Sequence, residues 1–285
     1  EGNRPCPRRV AAHAALAPQF FGAFDLSQYD AIISSSNMYF AKAVKKRADA
    51  VHISYCHTPP RSLYGYTTMT DWKKNPLVRV GGNLINHYLR VVDYYVSQKV
   101  DYFIANSEEV KKRIWKFYRR EATIIYPPVD LVDAKANPST TAQDYYLFVG
   151  RLAFAKHPEL AVEACNLLKT RLKVVGTGGM FEKLKEIVGP TVELLGAVDD
   201  IQLHQLYAGA KALLFPVEDE DFGIVPVEAM GHGVPVIAHN SGGPKETVID
   251  GKTGLVFDDL TVKGLNEAIK KFEKTKFDHA AIAKY

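Results

Sequence analysis

Residues 218–243 read EDEDFGIVPVEAMGHGVPVIAHNSGG. The acid run Glu218–Asp221 leads through Phe222-Gly223-Ile224 to Pro226, and a second apolar run, Val234–Ala238, follows. Immediately upstream, Ala212–Phe215 (ALLF) is short and wholly apolar. Strand, loop, helix and strand in this order form one unit of a parallel α/β sheet. Proline is favoured at the first helical position, so Pro226 is read there. The amides around it lack intrahelical acceptors and, with the helix dipole, direct partial positive charge to the carboxyl end of the preceding strand. Open α/β sheets bind ligands at that end. Glu220 is expected in the loop and Glu228 in the first turn, about 10 Å apart by chain reach. That spacing suits a ligand with hydroxyls at two places. A first-turn acid is also favoured by the dipole itself, by about 0.3–1 kcal/mol.

The same alternation continues in both directions. Upstream, strands are expected at Asp30–Ser36, Val51–Cys56, Asp101–Asn106 and Thr123–Tyr126. A helix over Asn83–Val100 places Leu84, Tyr88, Leu89, Val92 and Val96 on one face. Ser107 is positioned to cap a helix over Glu108–Tyr118. Pro127, Pro128 and the polar run Ala134–Gln143 interrupt the pattern, which gives two domains, 1–137 and 138–285. In the second, strands are expected at Tyr145–Val149, Leu172–Val175, Val192–Leu195, Ala212–Phe215, Val234–Ala238 and Leu255–Phe257, a full doubly wound set. The first domain shows only four strands and no opening strand with a Gly-rich turn, so it reads as truncated. Phe277–Tyr285 reads as the start of a helix.

With 47% hydrophobic and 24% charged residues the chain has the composition of a soluble globular protein. No apolar run is long enough to span a membrane, and EGNRPCPRRV lacks a signal-peptide core. Cys6, Cys56 and Cys165 are widely spaced without metal-ligand spacing, and read as reduced thiols of a cytoplasmic protein. Residues 1–137 carry 20 Lys/Arg against 12 Asp/Glu, and residues 138–285 carry 16 against 20. A basic first half points either to an anionic partner, such as a phosphate-bearing substrate or a lipid surface, or simply to a solvated face. The basic stretch Lys111–Arg120 raises the same pair of readings, peripheral membrane contact or solvation.

Residues 218–257 as a whole resemble the signature region of the large retaining GT-B glycosyltransferase family known as glycosyltransferase group 1, or GT4-like. The resemblance rests on two glutamates separated by seven residues, Glu220 and Glu228. It continues through Gly233 and VPVIA, Gly242-Gly243, Glu246 and the DGKTG of Asp250–Gly254. The segment Val149–Pro158 (VGRLAFAKHP) resembles the family's Gly-Arg-Leu…Lys element, and Tyr55–Arg61 (YCHTPPR) resembles the His-Thr-Pro element of its mannosyltransferase-like branch.

The resemblance implies a GT-B fold, two Rossmann-like domains facing across a cleft. It also implies transfer of a hexose, mannose in that branch, from a nucleoside-diphosphate sugar such as GDP-mannose or a UDP-sugar. The acceptor would be a saccharide or lipid-linked sugar, and the anomeric configuration would be retained. Glu220 and the amides of Phe222, Gly223 and Ile224 would approach the donor sugar, and Glu228 would bind the ribose diol. Gly150, Arg151 and Lys156 would hold the diphosphate, since fixed cations stabilise a leaving group that accumulates negative charge. Gly176 and Val198 would line the pocket near the base. Val174–Gly179 (VVGTGG) also begins a dinucleotide fingerprint, but Phe181 stands where its third glycine is needed. His57 would face the donor sugar, either bonding a sugar hydroxyl or assisting the acceptor. Two cations and helix amides supply what a metal would, so no metal or cofactor is expected; Asp219-Glu220-Asp221 is the segment that invites a metal reading. No nucleic-acid partner is expected. If the truncation is real, the alternative is a catalytically impaired nucleotide-sugar-binding fragment or regulatory subunit.

Overall fold

The computed structural model describes residues 20–37, 40–68, 76–129 and 144–285. The chain divides into two compact units at the Tyr126–Pro127 step; the boundary expected at 137/138, like Cys6, lies outside the described residues.

In the first unit β1 (Ala31–Ser36), β2 (Val51–Cys56), β3 (Tyr102–Ala105) and β4 (Ala122–Ile124) form a parallel sheet in that order. The connecting helices are α1 (Arg61–Tyr64), α2 (Pro76–Ser97) and α3 (Glu108–Tyr118). Ser107 Oγ accepts the Val110 amide at 3.0 Å, which is the cap its position predicts. On α3, Val110 and Ile114 are buried and Phe117 is half-buried, stacking on Tyr64 with ring centres 3.9 Å apart.

Helix α2 begins seven residues before the expected Asn83, and its inward face differs from the expected one. Leu89 and Val96 are buried, but Leu84 and Tyr88 are 70% and 61% exposed. The helix carries two apolar stripes that both satisfy a 3.6-residue period, and one ion pair selects between them. Asp93, fully buried, accepts from Lys42 Nζ at 2.8 Å and from the Tyr64 hydroxyl at 2.8 Å. Lys42 also donates to the Tyr118 hydroxyl at 2.6 Å. Burial, with Asp93 alongside, raises the pKa of the Tyr64 and Tyr118 phenols, so both keep their protons. The cluster ties the short turn Phe40–Ala43 to α1, α2 and α3.

The basic stretch is also partly structural. Arg113 is only 1% exposed; it bonds Glu109 at 3.1 Å and Thr58 at 3.2 Å and lies over the Tyr66 ring. Arg120 donates to the carbonyls of Ser97, Gln98 and Asp101, covering the C-terminal end of α2. Lys111, Lys112, Lys116 and Arg119 remain on the outward side.

The second unit contains β5 (Tyr146–Val149), β6 (Leu172–Val175), β7 (Val192–Gly196), β8 (Ala212–Phe215), β9 (Val236–His239) and β10 (Gly254–Phe257). All pairings are parallel, in the order β10-β9-β8-β5-β6-β7. Its helices are α4 (Pro158–Leu168), α5 (Phe181–Ile187), α6 (Asp200–Gly209), α7 (Ile224–Gly231), α8 (Pro244–Thr247), α9 (Val262–Phe272) and α10 (His279–Lys284). Every residue of β5, β8 and β9 is buried, as helices on both faces require. Because side chains alternate along a strand, β5 serves two cores. Tyr146 and Phe148 pack with α4 and α9, whereas Leu147 and Val149 pack on the other face with α6, α7 and Ile282 of α10. The ten strands fall within two residues of their expected ends, and Phe277–Tyr285 does enter a helix, capped by Asp278.

Candidate active site

The second sheet reverses direction between β5 and β8: the chain winds outward through β6 and β7, then returns to wind the other way through β9 and β10. Loops leaving the carboxyl ends of β5 and β8 therefore part from each other and open a crevice. The two motifs of the second unit lie on those two loops. Lys156, in the 3-10 turn Phe154–Lys156 after β5, is ion-paired with the Glu220 carboxylate in the loop after β8. The two side chains are 18% and 15% exposed. The fold thus joins residues 64 positions apart in sequence.

The glycines explain how the loops hold these groups. Gly243 N–H donates to the Glu220 carbonyl at 2.8 Å, and Asp219 N–H donates to Ser241 Oγ at 2.8 Å. A Cβ on Gly242 would meet the Glu220 carbonyl oxygen at 2.2 Å, and one on Gly243 would meet Phe222 Cα at 2.5 Å. The Gly242-Gly243 pair is therefore the seat on which the Glu220 backbone rests. Gly242 also has φ +66°, a left-handed conformation that costs other residues about 1–2 kcal/mol. A Gly242→Ala variant is expected to lose at least that much stability and to displace the 218–222 loop. Denaturant melts of the variant beside wild type check the first effect, and amide hydrogen exchange over the loop checks the second.

A second set of close approaches orders the loop after β5. Gly150 N–H donates to the Val175 carbonyl at 3.1 Å, Leu152 N–H to the Thr177 carbonyl at 2.9 Å, and Gly176 N–H to the Gly196 carbonyl at 2.7 Å. A Cβ on Gly176 would lie 1.9 Å from the Gly150 carbonyl oxygen. The VVGTGG turn is thus a backbone platform under Gly150–Leu152, and the loops after β5, β6 and β7 form one hydrogen-bonded rim. Arg151 is exposed on that rim. Val198 is half-buried against the core below α6 and α7.

Helix α7 starts at Ile224 with Gly223 (φ +91°) as its N-cap. Pro226 consequently occupies the third helical position rather than the first, still one whose amide would have no intrahelical acceptor. Glu228 lies in the second turn rather than the first, which removes the dipole argument as its reason for being there. Its Oε2 instead accepts the Tyr207 hydroxyl at 2.8 Å. Phe222 is 6% exposed and Ile224 is 44% exposed, so this step presents backbone and one open side chain at the start of α7. His57 belongs to the other unit, at the carboxyl end of β2. There its Nε2 lies 2.9 Å from Ser35 Oγ and its ring packs edge-on against Tyr55.

Sequence reasoning missed Tyr207, Ser241 and His232. Tyr207, in LHQLYAG of α6, reads as an ordinary core aromatic, and it is indeed 1% exposed. Only its hydroxyl partner reveals a second role. Among the described residues, no group of three or more His, Cys, Asp or Glu is arranged to hold a metal ion.

The sequence profile described as Glycosyl transferases group 1 matches residues 132–285, more than half of the chain. The chain belongs to the glycosyl transferases group 1 family. A second profile, Glycosyltransferase Family 4, matches residues 2–133. The sequence is similar to alpha-1,3/1,6-mannosyltransferase ALG2 of Dictyostelium discoideum, 24% identical over 90% of this chain and 70% of that one. It is 48% identical to the corresponding alg-2 protein of Neurospora crassa over 49% of this chain and 40% of that protein. An uncharacterized glycosyltransferase of Methanocaldococcus jannaschii, MJ1178, is 27% identical over 61% of this chain and 50% of its own length. The chain thus spans about half or less of the length of several curated relatives it matches.

Among solved structures, sucrose-phosphate synthase of Thermosynechococcus elongatus superposes with a TM-score of 0.74 at 22% identity, covering 98% of this chain and 73% of that one. Anabaena HepE, solved with UDP and glucose, superposes with a TM-score of 0.63 at 18% identity over 99% of this chain and 76% of that one. The fold is accordingly the GT-B fold of a group 1, GT4-like glycosyltransferase. Among the described residues no helix is long and apolar enough to cross a membrane.

Proposed function

We propose that the protein transfers mannose from a nucleoside-diphosphate sugar, GDP-mannose in the first instance, to a saccharide or lipid-linked acceptor with retention of configuration. The observation that carries this reading is the Lys156–Glu220 pair at the β5/β8 switch point, next to the start of α7. A cation there meets a leaving diphosphate, and a carboxylate there meets sugar hydroxyls. The mannosyl assignment is supported by relatives that include the alg-2 proteins and a GDP-mannose-dependent alpha-mannosyltransferase of Mycolicibacterium smegmatis, 38% identical over 39% of this chain.

In this reading the anomeric C–O bond to the diphosphate breaks as the acceptor oxygen adds on the same face, and the acceptor proton passes to the departing diphosphate oxygen. Arg151, Lys156, the Gly150 backbone and the backbone amides at the start of α7 balance the charge that develops on the diphosphate. Glu220 orients the sugar, Glu228 binds the ribose diol, and Gly176 and Val198 lie toward the base. His57 is assigned, as the resemblance implies, either to a sugar hydroxyl or to assisting the acceptor. The outward cations of Lys111–Arg120 are assigned to contact with an anionic membrane carrying the acceptor. Sedimentation with phosphatidylserine vesicles, absent with neutral ones, checks that contact.

Calorimetry with GDP-mannose and with UDP- and ADP-glucose, beside a product assay, tests the main reading. Binding and turnover of GDP-mannose are expected. Binding without turnover would assign a nucleotide-sugar-binding fragment instead, and no binding would refute both. Glu228→Ala is expected to weaken nucleoside-diphosphate affinity roughly tenfold, as loss of a charge-assisted hydrogen bond does, and by more than Glu220→Ala. Unchanged affinity would remove Glu228 from the ribose role.

A further inference from the structure

We infer that Tyr207 is a positioning residue that fixes the carboxylate of Glu228 for the ribose diol, an inference that rests on the donor-site reading above. Glu228 is the only charged residue on α7, and its side chain could adopt several rotamers from the second turn. Its Oε2 accepts one hydrogen bond from the Tyr207 hydroxyl at 2.8 Å. That hydroxyl comes from a different helix, α6, and from a ring that is 1% exposed. A buried ring has few ways to move, so the carboxylate is held by a fixed donor rather than by a solvated side chain.

The ring is itself seated. His232, 2% exposed, stacks on it with centres 5.2 Å apart and planes 29° from parallel. His232 Nδ1 faces the Glu228 carbonyl oxygen at 2.8 Å. A carbonyl only accepts, so Nδ1 carries a proton and donates to it. Its Nε2 lies 3.0 Å from His204 Nδ1. Glu228 is thus gripped twice, at its carboxylate by Tyr207 and at its backbone by the imidazole that packs against Tyr207. Burial and the neighbouring carboxylate hold the Tyr207 proton in place, so the phenol stays a donor. A carboxylate has about four lone-pair sites; with one committed to Tyr207, others are left to accept from a vicinal diol.

The substitution Tyr207→Phe removes the hydroxyl and keeps the buried, stacked ring. Its test is the ratio of affinities for GDP and 2′,3′-dideoxy-GDP, with UDP and its dideoxy counterpart run beside them, measured by calorimetry on the full chain. Wild type is expected to prefer the ribose form. Tyr207→Phe is expected to lose about tenfold of GDP affinity while dideoxy-GDP affinity stays unchanged, so the ratio collapses. In a Glu228→Ala background the same substitution is expected to change nothing. Equal losses for both nucleotides would mean that Tyr207 serves only packing and would overturn the inference, as would an unchanged ratio. If wild type does not distinguish the two nucleotides, or binds neither, the ribose role of Glu228 falls and the inference falls with it. A ratio retained in Tyr207→Phe but lost in Glu228→Ala would overturn the positioning role alone. Should Tyr207→Phe fail to fold, His232→Gln, which loses the stacked ring, is expected to lower the same ratio, and an unchanged ratio there would also overturn the inference.

Discussion

A Lys156→Ala variant is expected to turn over its donor about 10²–10³-fold more slowly than wild type, the usual cost of removing one fixed donor from a developing negative charge. The effect has two parts. The ammonium lies at the switch point, where the proposed reaction would release the diphosphate, and it also pairs with Glu220, so its removal would leave that carboxylate unbalanced beside the proposed anionic donor. The loss is expected mainly in kcat, because the charge being balanced is larger in the transition state than in the bound donor. Steady-state kinetics with GDP-mannose checks this. A change confined to KM would show that Lys156 binds donor and transition state equally. The double variant Lys156→Ala/Glu220→Gln separates the parts, since it removes the unbalanced carboxylate together with the cation.

The second large effect concerns stability. Asp93→Ala is expected to destabilise the first unit by about 3–5 kcal/mol, the range for breaking a buried ion pair by removing one partner. The penalty arises because the Lys42 ammonium, 3% exposed, would remain buried without a counter-charge, and the Tyr64 hydroxyl would lose its acceptor. Differential scanning calorimetry, which resolves the transitions of separate units, measures the loss. The double variant Lys42→Met/Asp93→Leu is expected to recover most of it, because apolar replacements of a whole buried pair are often neutral. A melting curve for Asp93→Ala that overlays wild type would show that the pair stabilises nothing.

The contrast between these two clusters shows where sequence reading succeeds. Lys156 and Glu220 were each identifiable because the loops that carry them, at the carboxyl ends of short apolar strands, resemble the family's motifs; a lone acid or cation there reads as solvated. Their pairing was not, because it depends on β8 returning to lie beside β5. The Lys42–Asp93 pair gave no signal at all, because a lysine in a short turn and an aspartate on an amphipathic helix carry no local mark of burial. The same pair decided which stripe of α2 faces inward, and so the expected placement of Leu84 and Tyr88 inside was wrong.

The sequence by itself determined the ten strands, the helices between them, the doubly wound character of the second unit and the chemical types at its two loops. These follow from apolar periodicity and from turn residues, which act within a few positions of the chain. Tertiary structure alone decided that Glu228 sits in the second turn, held by Tyr207 rather than by the helix dipole. It also decided that Gly242-Gly243 carries the Glu220 backbone, and that Arg113 and Arg120 turn inward to structural partners. Each of these depends on which element packs against which, and that choice is made by volume, burial and charge pairing between residues far apart in the chain.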